Sequence, residues 1–300
     1  MLLVQGSVSV TAYNPNNRFE IKIWEEDFRE VPTRMLCARI CQPIGDGPFP
    51  VLLDLHGGAW TSKDRMANGA MANVAMADAM AQSGILTVSI DLRLASEAPY
   101  PASVQDANYG IRWLKMKAPS WQGEPSTLGL LGSSSGGHVA ELLGMRPEDP
   151  RYNALPLEGH EEIDASVRYV ATRSPISDSL ARYNNAVTKG RQEMVGRHHV
   201  YFNPFSDIEE ANPQRILERG EPVKLPPLLI MQGGLDDNVL PSIQEKFGAA
   251  YRAAGGACEI AVFERCNHIW VLEPGPDTDR AHEIVKAFSA RQLNAATGTR

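Results

Sequence analysis

A chain of 300 residues with 43% hydrophobic content is long enough to bury a large core. Its formal charge of −7, with no clustered block of Lys and Arg, argues against a nucleic-acid or anionic-membrane surface. Nowhere do about 18 apolar residues run together, so no membrane-spanning helix is expected, and the first residues lack the cationic and apolar segments of a secretory leader.

Alternating apolar and polar residues in "RFEIKIWEEDFREV" (18–31) predict an amphipathic strand, and "TRMLCARICQP" (33–43) a second, so the opening strands are antiparallel. "FPVLLDLHGG" (49–58) is a continuous apolar run that stops at glycines, the pattern of a strand buried on both faces. The form recurs in "ILTVSIDL" (85–92), "STLGLLGS" (126–133), "SVRYVAT" (166–172) and "PPLLIMQGG" (226–234), and "CEIAVFE" (258–264) is the last strand. Helical spacing lies between them, over 68–84, 103–117, 242–256 and 279–293, with fraying expected after residue 293. Alternation of this kind predicts βαβ units: an α/β fold with a mostly parallel sheet and helices on both faces.

Residues 178–225 break the rhythm, with no strand pattern and too much length for a loop. They read as a small helical cap inserted in a single domain spanning 1–300, lying over the carboxyl ends of the strands, where α/β sheets bind ligands. Its aromatic residues Tyr201, Phe202 and Phe205 have two readings: they line a substrate pocket, or they anchor the cap. The helix bearing Met71, Met76 and Met80 is expected to be ordinary core rather than a pliable pocket wall. Cys37, Cys41, Cys258 and Cys266 form no CxxC pair, so they read as buried small hydrophobes of a reduced, cytoplasmic protein, with no metal.

Chemistry concentrates in "LGLLGSSSGGHVAELLG" (128–144). One frame satisfies G-x-S-x-G, with Ser134 between Gly132 and Gly136, and it falls between a strand and a helix start. A serine at such a tight turn is held with its hydroxyl exposed. The hydroxyl needs a base. Of seven histidines, His268 follows the last strand, where the chain returns to the top of the sheet, whereas His138 is tied to the serine's own helix. A carboxylate is expected in "LLIMQGGLDDNVLP" (228–241), where Asp236 and Asp237 compete, and the order Ser…Asp…His suits a nucleophile, acid and base. "HGGAW" (56–60) follows a buried strand; Gly57, Gly58 and Ala59 can bring main-chain N–H groups close to an oxyanion, and the amide of Ser135 can complete the site.

Together, "HGGAW", "GSSSGGH", "QGGLDDNV" and "CNH" resemble the carboxylesterases of the α/β-hydrolase superfamily, in the hormone-sensitive-lipase-like and feruloyl-esterase-like branch, over about residues 33–293. The resemblance implies Ser134 as nucleophile, His268 as base and Asp236 as acid. It implies N–H donors at Gly58, Ala59 and Ser135, with Gly57 shaping the loop. "LDDNV" is also similar to the corresponding element of prolyl-oligopeptidase-like peptidases. Ala59 and Ser133 depart from the lipase-like pattern, and HGG-x-W is closer to small esterases and kynurenine formamidases. The expected function is therefore hydrolysis of small acyl esters through an acyl-enzyme, without cofactor. Aryl formamide hydrolysis is the alternative, and a non-catalytic binding role a third reading. The expected partner is a small-molecule ester or amide, and a homo-oligomer is compatible with the sequence. Trp60 and Phe205 are the candidates for pocket walls.

Overall fold

The computed structural model describes residues 13–66, 72–270 and 274–295. The expectations for the first residues, for Met71 and for the tail after 295 lie outside them.

Among the described residues eight strands form one sheet: β1 (Ile21–Val31), β2 (Arg34–Pro43), β3 (Phe49–Leu55), β4 (Leu86–Ile90), β5 (Gly123–Ser133), β6 (Val170–Arg173), β7 (Leu228–Gly233) and β8 (Cys258–Phe263). Their spatial order is β1-β2-β4-β3-β5-β6-β7-β8, antiparallel at β1/β2 and β2/β4 and parallel elsewhere. The helices are α1 (Ala72–Gln82), α2 (Ala102–Lys117), α3 (Ser135–Met145), α4 (Ser179–Thr188), α5 (Gln192–Tyr201), α6 (Asp207–Glu210), α7 (Pro213–Glu218), α8 (Pro241–Ala253) and α9 (Pro276–Asn294). This is the α/β arrangement expected from the alternating pattern. Strand β6 begins at Val170, later than expected, although Arg168 N–H already donates to Leu128 O of β5 at 2.8 Å; before that, Ser166 N–H donates to Asp164 Oδ1 at 2.6 Å.

The period of two along each central strand divides the core. Val51, Leu53 and Leu55 of β3 pack with α2 and α3 residues such as Ile111 and Leu142. Leu52 faces the other way, with Met76 and Met80 of α1 and Val285 and Phe288 of α9. The Met-rich helix is therefore core. Burying both faces explains why these strands read as apolar runs rather than alternating ones.

Parallel strands all present their carboxyl ends to one edge. Ser133, Arg173 and Gly233 are the last residues of β5, β6 and β7, and β3 ends at Leu55, just before His56. Helices α4–α7 occupy 179–218, between β6 and β7. No helix among the described residues is long and apolar enough to cross a membrane.

Candidate active site

Strand β5 ends at Ser133 and helix α3 begins at Ser135, so Ser134 makes the turn by itself. Its backbone sits at φ 52° and ψ −112°, in the positive-φ region that residues with a side chain avoid. Three main-chain hydrogen bonds hold it there. Ser134 N–H donates to Arg173 O at 2.9 Å, and Ser134 O accepts from His138 N–H at 3.1 Å and Ile176 N–H at 3.2 Å. The flanking glycines are required by space. A β-carbon on Gly132 would lie 2.6 Å from Gly136 O, and one on Gly136 would lie 2.5 Å from His56 O.

The turn aims Ser134 Oγ at His268, 3.0 Å from Nε2, and His268 Nδ1 lies 2.7 Å from Asp236 Oδ2. Thus Ser134, His268 and Asp236, from the ends of β5, β8 and β7, meet in one hydrogen-bonded chain. Asp236 is oriented from behind: Oδ1 accepts from Asn238 and Val239 N–H, both at 2.9 Å, and Oδ2 from Gln232 Nε2 at 3.2 Å. Its rival Asp237 points outward, 65% exposed, and pairs with Arg191. Burial pushes the Asp236 carboxyl up, but the His268 contact and the two amides outweigh it, so it stays below its ordinary value. Burial, opposed by Asp236, holds His268 below 6.5, so the ring is neutral at pH 7 and can accept a proton.

His138 is occupied elsewhere. It is fully buried, its Nδ1 accepts from Trp60 Nε1 at 3.2 Å, and its Nε2 donates to Ala211 O at 2.6 Å. Burial lowers its pKa to about 4.

The "HGGAW" loop runs beside the serine. A β-carbon on Gly57 would lie 3.0 Å from Ser133 O and 3.4 Å from Ser134 Cβ, so a glycine lets the loop pack against the turn. Gly58, Ala59 and Trp60 all have positive φ, of 115°, 50° and 62°. Thr61 N–H and Ser62 Oγ donate to Gly58 O at 3.1 and 3.0 Å, which folds the loop back on itself. The N–H groups of Gly58, Ala59 and Ser135 have no acceptor among the described residues. The Ser135 amide is among the first N–H groups of α3, which a helix leaves unpaired. These donors are available to a developing negative charge.

A cavity of about 260 Å³ opens over Ser134 and His268, bounded by Gly58, Ala59 and Asn238. Trp60 and Phe205 are absent from its walls, which corrects their assignment to the pocket. Trp60 is 4% exposed and stacks on Tyr201, with centroids 4.5 Å apart and planes 5° apart. Phe202 and His198 meet its edges. Phe205 is half-buried against Tyr183 and His199, at centroid distances of 4.8 and 4.5 Å. Tyr201, Phe202 and Phe205 therefore anchor the helices between β6 and β7. The walls instead include Lys63, Arg173, Arg182 and Arg197, which no sequence motif marked. For Arg173 there was a signal: it is the last residue of a parallel strand, at the edge where such sheets bind ligands.

The sheet order, the serine turn and the loops bearing Asp236 and His268 define an α/β-hydrolase fold. A family model described as BD-FAE matches residues 40–249, and the chain belongs to that family. It is 29% identical over 229 residues to "Esterase LipC" and 28% identical over 247 residues to "Carboxylic ester hydrolase LipN", both of Mycobacterium tuberculosis. The matches cover 71% and 79% of this chain but 52% and 61% of those proteins, so the chain spans between half and two thirds of their length. Esterase 2 of Thermogutta terrifontis, in a structure described as phosphoramylated by tabun, superposes with a TM-score of 0.69 at 18% identity, covering 89% of this chain and 93% of that one.

The burial of Trp60 gives a test of its corrected place. Trp60→Ala should cost about 3–5 kcal/mol of unfolding free energy, as for a large aromatic removed from a core. Phe205→Ala, half-buried, should cost less. Denaturant unfolding measures both. Neither should reorder rates among substrates, and a reordering at near-native stability would return that residue to the pocket.

Proposed function

We propose that the protein is a serine hydrolase, a carboxylesterase that cleaves small acyl esters through an acyl-enzyme. The single observation that carries the proposal is the chain from Ser134 Oγ through His268 to Asp236, at 3.0 and 2.7 Å. Neutral His268 accepts the hydroxyl proton as Ser134 attacks the ester carbonyl. Asp236 keeps Nδ1 protonated, so that Nε2 faces the serine, and it stabilises the imidazolium that forms. The N–H groups of Gly58, Ala59 and Ser135 receive the oxyanion, with Gly57 holding the loop against the serine turn. The imidazolium then protonates the departing alcohol. Water, deprotonated in turn by His268, hydrolyses the acyl-enzyme and frees Ser134. Residues 178–225 act as a cap within one domain, since α4 and α5 contribute Arg182 and Arg197 to the cavity wall. The esterase names of the relatives favour an ester over an aryl formamide.

Labelling by a fluorophosphonate, mapped to Ser134, tests the nucleophile directly. Ser134→Ala or His268→Ala should each lower kcat by on the order of 10⁴–10⁶, and Asp236→Asn by on the order of 10³–10⁴. Asp237→Asn should remain within about tenfold of wild type. A larger loss at Asp237 than at Asp236 would overturn the assignment of the acid.

The small cavity favours short acyl groups. Acetyl to hexanoyl aryl esters should be cleaved faster than palmitoyl ones, and rates that rise with chain length and with micelle formation would count against this.

The base must be neutral to act, and its folded pKa lies below 6.5. Hence kcat/KM should be flat between about pH 7 and 8 and fall as acid protonates His268, with a midpoint below 6.5. A midpoint above 7 would contradict the environment described for the ring.

A further inference from the structure

Around Ser134 the cavity presents four cationic side chains, Lys63, Arg173, Arg182 and Arg197, and among the described residues its walls include no carboxylate. This is unexpected for a chain of net charge −7. Arg173 and Arg182 are 7% and 1% exposed, and among the described residues neither touches a carboxylate. Arg173 Nη2 donates to Ser133 Oγ, and Arg182 Nε and Nη1 donate to Asn238 Oδ1 at 2.9 Å and His198 Nε2 at 3.2 Å. His198 is a neutral acceptor, because its Nδ1 donates to Met194 O at 2.8 Å. The remaining nitrogens, Nε and Nη1 of Arg173 and Nη2 of Arg182, have no protein partner among the described residues. Lys63, exposed at the cavity rim, likewise has neither a hydrogen bond nor an ion pair among them. Arg197 pairs with Glu193 at 2.6 Å on the outer side.

Two acids lie near enough to be felt. Asp236 is committed to His268, and Asp54, behind Arg173, is pushed up to about 7 by burial and so carries a reduced charge at neutral pH. Buried cations without a direct counter-charge are costly unless an anion completes them.

We propose that the substrate of this site carries a carboxylate, bound by Arg173, Arg182 and Lys63 while its ester carbonyl lies against Ser134. The proposal deepens the hydrolase reading and rests on it. The two oxygens of a carboxylate accept from guanidinium N–H groups, and Arg182 Nη2 and Arg173 Nε and Nη1 have no partner among the described residues. The volume of about 260 Å³ suits a short dicarboxylate monoester, or a small acyl ester of an alcohol that bears the carboxylate.

Two matched pairs separate these sources. With the anion on the acyl side, 4-nitrophenyl hydrogen glutarate is compared with 4-nitrophenyl pentanoate. With the anion on the alcohol side, 4-acetoxybenzoate is compared with 4-acetoxybenzamide. After subtraction of uncatalysed hydrolysis, one anionic member should exceed its neutral partner in kcat/KM by about tenfold or more. That ratio should fall at least about fivefold in Arg182→Gln and in Lys63→Gln. Lys63 has no partner to lose among the described residues, so its variant remains informative where Arg182→Gln fails to fold.

Calorimetric titration with glutarate against its neutral diamide reads the cation site without turnover. Saturable glutarate binding, weakened in Lys63→Gln, supports the proposal even where no ester is hydrolysed, in which case the hydrolase reading fails by itself. Neutral esters turned over as well as anionic ones in both pairs, with glutarate bound no better than the diamide, would overturn the proposal and leave the hydrolase reading standing.

Discussion

Helix α3 approaches strand β3 so closely that a β-carbon on Gly136 would overlap the carbonyls of Leu55 and His56. That backbone-to-backbone contact leaves the chain one residue in which to turn from β5 into α3, and Ser134 takes it at positive φ. A residue in this conformation costs on the order of 1–3 kcal/mol and persists only where its surroundings over-determine it. Here they do: three main-chain hydrogen bonds and two tightly packed glycines hold the turn. The strain aims a hydroxyl out of the sheet edge, and the loops that carry Asp236 and His268 need only reach one fixed point. The first amide of α3 is delivered to the same point by the same turn.

Much of the sheet was legible because burial on both faces leaves an unmistakable pattern in β3, β5 and β7, runs of Val, Leu and Ile that stop at glycine or serine. The serine turn was legible for a related reason, since close approach demands glycine and glycine is visible. Asp236 and Asp237 could not be told apart by residue type, because both follow the same strand and differ in which way the loop points them. The structure separates them by Gln232, Asn238 and Val239, whose donors converge on one and not the other.

Trp60 shows the opposite failure. An aromatic next to a glycine loop suggests a pocket wall, but its indole turns away from the cavity to stack on Tyr201. The cationic lining was invisible for a simpler cause. Lys63, Arg173, Arg182 and Arg197 come from a loop, a strand end and two helices, with no spacing that could announce a cluster. Net charge misleads here as well: a chain with an acidic surplus can still focus positive potential in one small concavity, where low-dielectric walls limit screening.

The stack of Trp60 on Tyr201 joins two parts of the site that chemistry treats as separate. Trp60 follows Ala59 directly in the chain, and Tyr201 closes helix α5, which carries Arg197. One rigid aromatic contact thus makes the helices that frame the entering molecule also the brace for the proposed oxyanion amides. Those amides must hold position to well within an ångström to stabilise charge effectively. Which molecules are admitted and how fast they react are consequently not independent properties of this fold. Sequence drift in α5 that reshapes the entrance also nudges the amides, so a change of diet in this lineage would be expected to arrive together with a change of pace.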